Sequence, residues 1–169
     1  MFFNMGTDGS GYDAIIIPHG GARHPFCKES LDTFKVDGHE YNSLQSQMKG
    51  MDVFSFGITT APKSIKKLAV HFGFDYSDYE YLVLHQANKK MNDMIMKKLK
   101  YSVEKTPISL DRFGNTSCAS IPVTLVTRMA EKLRTGETSV MACGFGVGLS
   151  WGAVAFKTSD IIVSNLIEL

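Results

Sequence analysis

The chain has 169 residues, 44% of them apolar and 21% charged, with a formal net charge of +1. These values describe one ordinary globular domain with a sizeable core and exclude a disordered, fibrous or disulfide-stapled chain. The small net charge gives no case for a nucleic-acid partner, and the three cysteines (Cys27, Cys118, Cys143) show no paired spacing, which fits a reducing, cytoplasmic setting.

The opening "MFFNMGTDGSG" is short and carries no basic region, so no signal peptide is expected. "DAIIIP" (Asp13 to Pro18) reads as a buried strand: a short apolar run closed by proline and a glycine pair. A polar loop follows, from about Gly20 to Asn42. From about Leu44 to Phe72 the pattern is helical. Ile65, Leu68, Ala69 and Phe72 share a face, Gly73 stands at the C-terminal stop, and Pro62 predicts a kink or a start. "YLVLH" (Tyr81 to His85) is the next strand, and a helix with Met91, Met94, Ile95 and Leu99 on one face comes after it. "TPISLD" (Thr106 to Asp111) reads as a short third strand. Beyond the polar turn "RFGNTSCAS" the spacing of Ile121, Leu125, Met129 and Leu133 predicts one helix, with Pro122 in its first turn and Gly136 at its end.

Thr138 to Phe156 is uncharged over about the length of a membrane helix. Four glycines (Gly144, Gly146, Gly148, Gly152) interrupt it, so two short strands around a glycine-rich loop are expected and no membrane association. The alternation of strands and helices implies an α/β domain with a mostly parallel mixed sheet covered by helices. The apolar tail, residues 158 to 169, has no assignment.

Three polar turns stand at strand ends: "HQAN" at 85–88, "GNTSCAS" at 114–120 and "GFGVG" at 144–148. In a parallel sheet the C-terminal strand ends share one edge, where ligands collect. His85, Asn115 and the amides of 145–148 are therefore expected to meet. A neutral imidazole, a carboxamide and backbone N–H groups all donate hydrogen bonds without full charge. They suit an oxygen that is becoming negative, such as a thioester enolate. The set contains no nucleophile. Each member also has a structural reading: a capping histidine, a Gly-Asn turn, a tight glycine turn.

"HQAN", "DRFGNTSCASIP" and "GFGVGLSWGA", in this order, together with "MKGMDVFSFGI" (48–58), resemble the beta-ketoacyl-acyl-carrier-protein synthase III family of thiolase-like condensing enzymes. The resemblance runs from about Asp8 to Phe156 and covers the C-terminal half of that family's duplicated fold. It implies a thiolase-like half-fold: residues 1–169 as a single domain, with the N-terminal domain that carries the nucleophilic cysteine absent. It further implies that His85 and Asn115 take the catalytic histidine and asparagine positions, and that the Val147 amide takes the acyl oxyanion position. Gly50, Ala87, Asn88 and Phe145 match positions lining the pantetheine tunnel, where Met51 replaces a usual asparagine. Lys89 and Lys90 match a carrier-docking surface that Lys97, Lys98 and Lys100 extend. A solvated helix face is the other reading of these lysines.

The implied activity is 3-oxoacyl-[acyl-carrier-protein] synthase III chemistry in fatty acid biosynthesis. An acyl group passes from acyl-CoA to a cysteine, and malonyl-carrier protein is then decarboxylated to an enolate that attacks it. The implied partners are acyl-CoA, acyl carrier protein, the missing half and a second copy in a homodimer. Coenzyme A thioester is the substrate, and no cofactor is implied. A non-catalytic thioester-binding or assembly half-domain, and a relative in secondary metabolism or surface-sugar acylation, stand as alternatives. Cys118, where the family usually has alanine, and Cys143 do not lie at the nucleophile position. His19, His24 and Cys27 in "HGGARHPFC" match no standard zinc spacing.

Overall fold

The computed structural model describes residues 1–36 and 38–167. Its centre is a four-stranded sheet. Strand β1 (Phe2–Thr7) comes from the opening segment, for which the sequence pattern gave no strand. "DAIIIP" yields only the two-residue β2 (Ile15–Ile16). It pairs with β5 (Gln47–Met48) outside the main sheet, and Ile17 is exposed. Pro18, which has no N–H for a ladder, closes the run. The 20–42 segment is a loop with one helical turn at Lys28–Leu31 and a hairpin of β3 (Phe34–Val36) and β4 (His39–Tyr41); Asp37 lies outside the described residues.

Helix α1 (Gly50–Phe72) begins at Gly50, later than the periodicity from Leu44 indicates. Gly73 ends it in the left-handed region (φ 69°), its N–H bonded to Ala69 O. Pro62 sits inside α1 and does not end it. Proline removes the N–H that would bond the Ile58 carbonyl; the Lys98 ammonium donates to that carbonyl instead, at 2.9 Å. Lys98 belongs to α2 (Lys89–Leu99), which follows β6 (Tyr81–Leu84).

The expected strand at Thr106 to Asp111 does not form. Pro107 has no N–H for a ladder. Ser109 N–H donates to the Gln86 side-chain oxygen (3.0 Å), its hydroxyl pairs with Thr124 (2.8 Å), and the chain turns into the short α3 (Leu110–Phe113). The helix expected over Ile121 to Leu133 divides at Met129 into α4 (Ser120–Arg128) and α5 (Ala130–Arg134). The backbone bends there (φ −126°), and both Met129 and Leu133 are buried. The glycine-rich stretch is a hairpin of β7 (Glu137–Gly146) and β8 (Ser150–Ser159). Among the described residues no helix is long and apolar enough to cross a membrane.

Sheet order is β1-β8-β7-β6. Only β6–β7 is parallel; β7–β8 and β1–β8 are antiparallel. The sheet is therefore mixed, and its parallel share is smaller than the alternation of strands and helices suggests, because the last two strands form a hairpin and β1 adds antiparallel to it. Side chains alternate between its faces. Leu82, Leu84, Met141 and Cys143 pack with Ile65, Leu68, Met91 and Ile95 of α1 and α2. Val83, Val140 and Ala142 point the other way, to Met129 and Leu133. At roughly 1.5–3 kcal/mol for each fully buried large aliphatic side chain, these two layers dominate the stabilisation. The tail crosses the second layer: Val163 packs on it, Ile161 N–H bonds Leu133 O, and the Arg134 guanidinium holds Val163 O and Asn165. Glu168 and Leu169 lie outside the described residues.

Candidate functional site

β6 ends at Leu84, and the next residues pass through one turn to α2. His85 N–H bonds Cys143 O of the parallel neighbour (2.9 Å), so the imidazole stands just beyond the C-terminal edge of the sheet. Gln86 does not enter the site. It is buried, donates to Leu84 O (2.8 Å) and accepts from Ser109 N–H, locking the β6–α2 turn to the α3 loop. Asn88 caps α2, its side-chain oxygen accepting from Met91 N–H at 2.8 Å.

The loop before α4 supplies the second group. Gly114 takes φ 61° and ψ −154°, a backbone state that favours glycine, and presents Asn115 after it. Asn115 accepts from Ser117 N–H (2.9 Å) through its oxygen, and its NH₂ has no partner among the described residues. Arg128 at the end of α4 grips Asp111 through both carboxylate oxygens (2.6 and 2.5 Å) and holds that carboxyl below the usual carboxylate range, which anchors the loop.

His85, Asn115 and the backbone of Gly144 to Val147 line one cavity of about 500 Å³, with Ser117, Cys118 and Ser120 on the same wall. The three polar turns singled out in the sequence thus meet. Val147, at the β7–β8 turn, is exposed; Phe145 is buried, and its ring meets the His85 ring edge-on (centroids 5.6 Å, 86°).

The sequence reading missed Ser120, whose hydroxyl lies 2.6 Å from His85 Nδ1. It also accepts from Gln86 N–H at 3.3 Å. The hydroxyl has one proton. If that proton goes to Nδ1, every group is satisfied, and the ring proton of neutral His85 must sit on Nε2. Burial pushes the His85 pKa below its ordinary value, so the neutral ring is favoured. On that assignment the ring is an uncharged imidazole with an Nε2–H donor. A serine one residue before a helical apolar pattern reads as an N-terminal helix residue, and nothing local marks it as a partner for a histidine 35 positions away.

The other expected residues lie elsewhere. Gly50 opens α1 and Ala87 lies in the β6–α2 turn; with Asn88 they are outside the wall of the His85 cavity. Lys89 pairs with Asp93 (2.9 Å), and Lys90 stands over the Phe54 ring at 5.9 Å. Cys143 is fully buried, with its thiol pKa pushed up to about 12, which makes it inert. Cys118 is exposed at the cavity wall. His19 uses Nδ1 on Ser30 (2.9 Å) and stacks on His24; among the described residues no three His, Cys, Asp or Glu side chains gather as a metal-ligand set.

A mixed sheet between two helical layers, with a neutral histidine and an asparagine at its C-terminal edge, is the half-fold of the thiolase-like condensing enzymes. Residues 70–158 match the family model described as 3-Oxoacyl-[acyl-carrier-protein (ACP)] synthase III C terminal, and the chain belongs to that family. It is 35% identical over 155 residues to the beta-ketoacyl-[acyl-carrier-protein] synthase III of Clostridioides difficile (strain 630), covering 91% of this chain and 44% of that protein. It is 34% identical over 158 residues to the same enzyme of Rhodopirellula baltica, covering 93% of this chain and 43% of that protein. A solved 3-oxoacyl-(acyl-carrier-protein) synthase III superposes with a TM-score of 0.85 at 30% identity, over 94% of this chain and 47% of that one. The chain thus spans somewhat under half the length of the relatives it matches.

Proposed function

We propose that this chain supplies the enolate-stabilising half of a 3-oxoacyl-[acyl-carrier-protein] synthase III. His85 Nε2–H and the Asn115 NH₂ donate to the thioester oxygen of a malonyl group bound in the cavity. As CO₂ leaves, the C–C bonding pair moves into the enolate and negative charge develops on that oxygen. Preformed neutral donors gain most at that moment, because no solvent has to reorganise. A cationic imidazolium would also donate, but it would hold a carboxylate in the ground state; the burial that keeps His85 neutral favours the transition state instead.

In this reading the acyl group that the enolate attacks is carried on a cysteine of a further domain, which pairs with this chain. The Val147 amide belongs to the acyl oxyanion site. Gly50, Ala87 and Asn88 guide a pantetheine arm, and Lys89 and Lys90 face an acidic carrier protein. The observation that carries the proposal is the shared cavity of His85, Asn115 and the Gly144–Val147 backbone.

The test is malonyl-thioester decarboxylation by the natural gene product. His85→Ala and Asn115→Ala should each lower kcat by about 10²-fold or more, as loss of an oxyanion donor does. Rates unchanged in both variants would remove the role. Saturable malonyl-CoA binding with no turnover in the parent protein would favour the thioester-binding half-domain.

A further inference from the structure

Helix α1 turns an unusual stripe toward the edge strand β1. Phe56, Thr60, Lys63, Ser64 and Lys67 recur at helical spacing, and with Asn4 to Asp8 of the β1 region and Trp151 they enclose a groove of about 380 Å³. This volume lies within the usual range for small-molecule sites. A stripe that only packed against β1 would be apolar. This one is hydroxyl-bearing and basic, and Asn4 donates to one of its hydroxyls, Ser64 Oγ (2.8 Å).

Three features give the groove a chemistry. Its aromatic element is Trp151, paired across the sheet with Gly6. Gly6 has no side chain, and the Trp151 ring fills the space a Cβ would take, lying against Phe56 (centroids 6.0 Å). Its charge is Lys63 and Lys67, both exposed, four residues apart on one face, with no ion-pair partner among the described residues. Like charges at this spacing repel, and an anion between them would reverse that cost. Thr60 adds a hydroxyl beside them. The one carboxylate present, Asp8, is engaged by the Ser10 N–H (3.0 Å) and hydroxyl (2.6 Å).

We propose that this groove binds a nucleoside phosphate, with the base on the Trp151 face and the phosphate between Lys63 and Lys67. The site is separate from the His85 cavity: no residue is common to the two linings, and the proposal does not depend on the condensing reaction.

The chain contains one tryptophan, so its fluorescence reports a ligand on this ring, and the lysine variants assign the signal to this groove. Titration with adenosine monophosphate should quench Trp151 saturably, with half-saturation near or below about 1 mM, the range of a weak two-contact site. Adenosine alone and inorganic phosphate alone should each bind more weakly. Quenching should weaken about tenfold in Lys63→Gln/Lys67→Gln, and also as salt is raised. Both lysines are exposed, so the variant keeps the fold, which circular dichroism verifies; His85→Ala should leave the titration unchanged. Absence of saturable quenching up to about 10 mM, or an equal response in the double lysine variant, overturns the proposal.

Discussion

Ser120→Ala tests the tautomer argument directly. The Ser120 hydroxyl makes two contacts, 2.6 Å to His85 Nδ1 and 3.3 Å to Gln86 N–H. A net hydrogen bond contributes about 1 kcal/mol, and Gln86 N–H is left without a partner in a buried turn, so the loss comes to about 2 kcal/mol. For a chain of this length that lowers Tm by about 4–8 °C. The Thr124 hydroxyl bond to Ser120 O (2.8 Å) uses the backbone and survives. The distinctive consequence is at the ring. Without a donor at Nδ1 the two neutral tautomers become comparable, and the Nε2–H population falls. Long-range ¹H–¹⁵N correlation of the histidine side chains measures it: the parent chain should show His85 protonated on Nε2, and Ser120→Ala a mixture. Thermal melting gives the stability change independently. A parent spectrum with the proton on Nδ1 would refute the reasoning, because Ser120 would then be an acceptor and Nε2 could not donate to an enolate. A purely structural role for Ser120 would lower Tm and leave the tautomer unchanged.

Asn92 is 1% exposed in α2, and neither of its amide atoms has a partner among the described residues, so Asn92→Leu, of similar size, should raise stability by about 2 kcal/mol, seen as a higher midpoint in urea. Gly57→Ala should lower stability: a Cβ there would lie 2.6 Å from Met91 Sδ and 2.8 Å from Phe145 Cε2, and overpacking of about 1–3 kcal/mol outweighs the helix gain of about 1. The same variant should shift the His85 ring resonances through Phe145, and unmoved resonances would disprove that link. Because His85 titrates below its ordinary value in the fold, the unfolded chain takes the proton more readily. The contribution of His85 is therefore complete above about pH 6.5 and is lost as pH falls from there toward the folded value. Melting curves of the parent and His85→Gln should converge in that window, and parallel curves would contradict the linkage.

The sequence shows some parts of this architecture plainly and hides others. α1 and α2 are legible because their buried residues repeat at helical spacing, and Gly73 is legible because only a left-handed stop suits it. The β7–β8 hairpin is legible from β-prone apolar runs on either side of a glycine cluster. β1 escapes notice because its partner is β8, nearly the whole chain away, and "FFNMGT" lacks clean alternation. Thr106 to Ser109 mimics a strand by composition, yet the Ser109 groups are committed to Gln86 and Thr124 and the Thr106 groups to Ser102 and Val103. The break at Met129 carries no glycine or proline, so the spacing of Ile121 to Leu133 still reads as one helix. For the site, the motif residues His85 and Asn115 stand out as polar groups at element ends. Their supports, Ser120, Gln86 and the Arg128–Asp111 pair, resemble ordinary helix and turn residues.

That division follows from what each group does. A side chain proposed to donate to substrate must be polar where packing would prefer apolar, so it contradicts its surroundings and is visible. A support must satisfy local rules as well as its distant partner. Ser120 starts a helix, Gln86 fills a turn, and Phe145 packs against α1 beside Gly57. Each would be an unremarked choice if His85 were alanine. The imidazole is nevertheless fixed from three sides: the Ser120 hydroxyl on Nδ1, the Phe145 ring packed perpendicular to it, and its own backbone N–H tied to Cys143 O. Only Nε2 is left for the cavity. The precision of the site therefore rests on residues whose local sequence signal is structural, and variants at Ser120 and Gly57 should disturb His85 while leaving its Nε2 and the Asn115 carboxamide chemically intact.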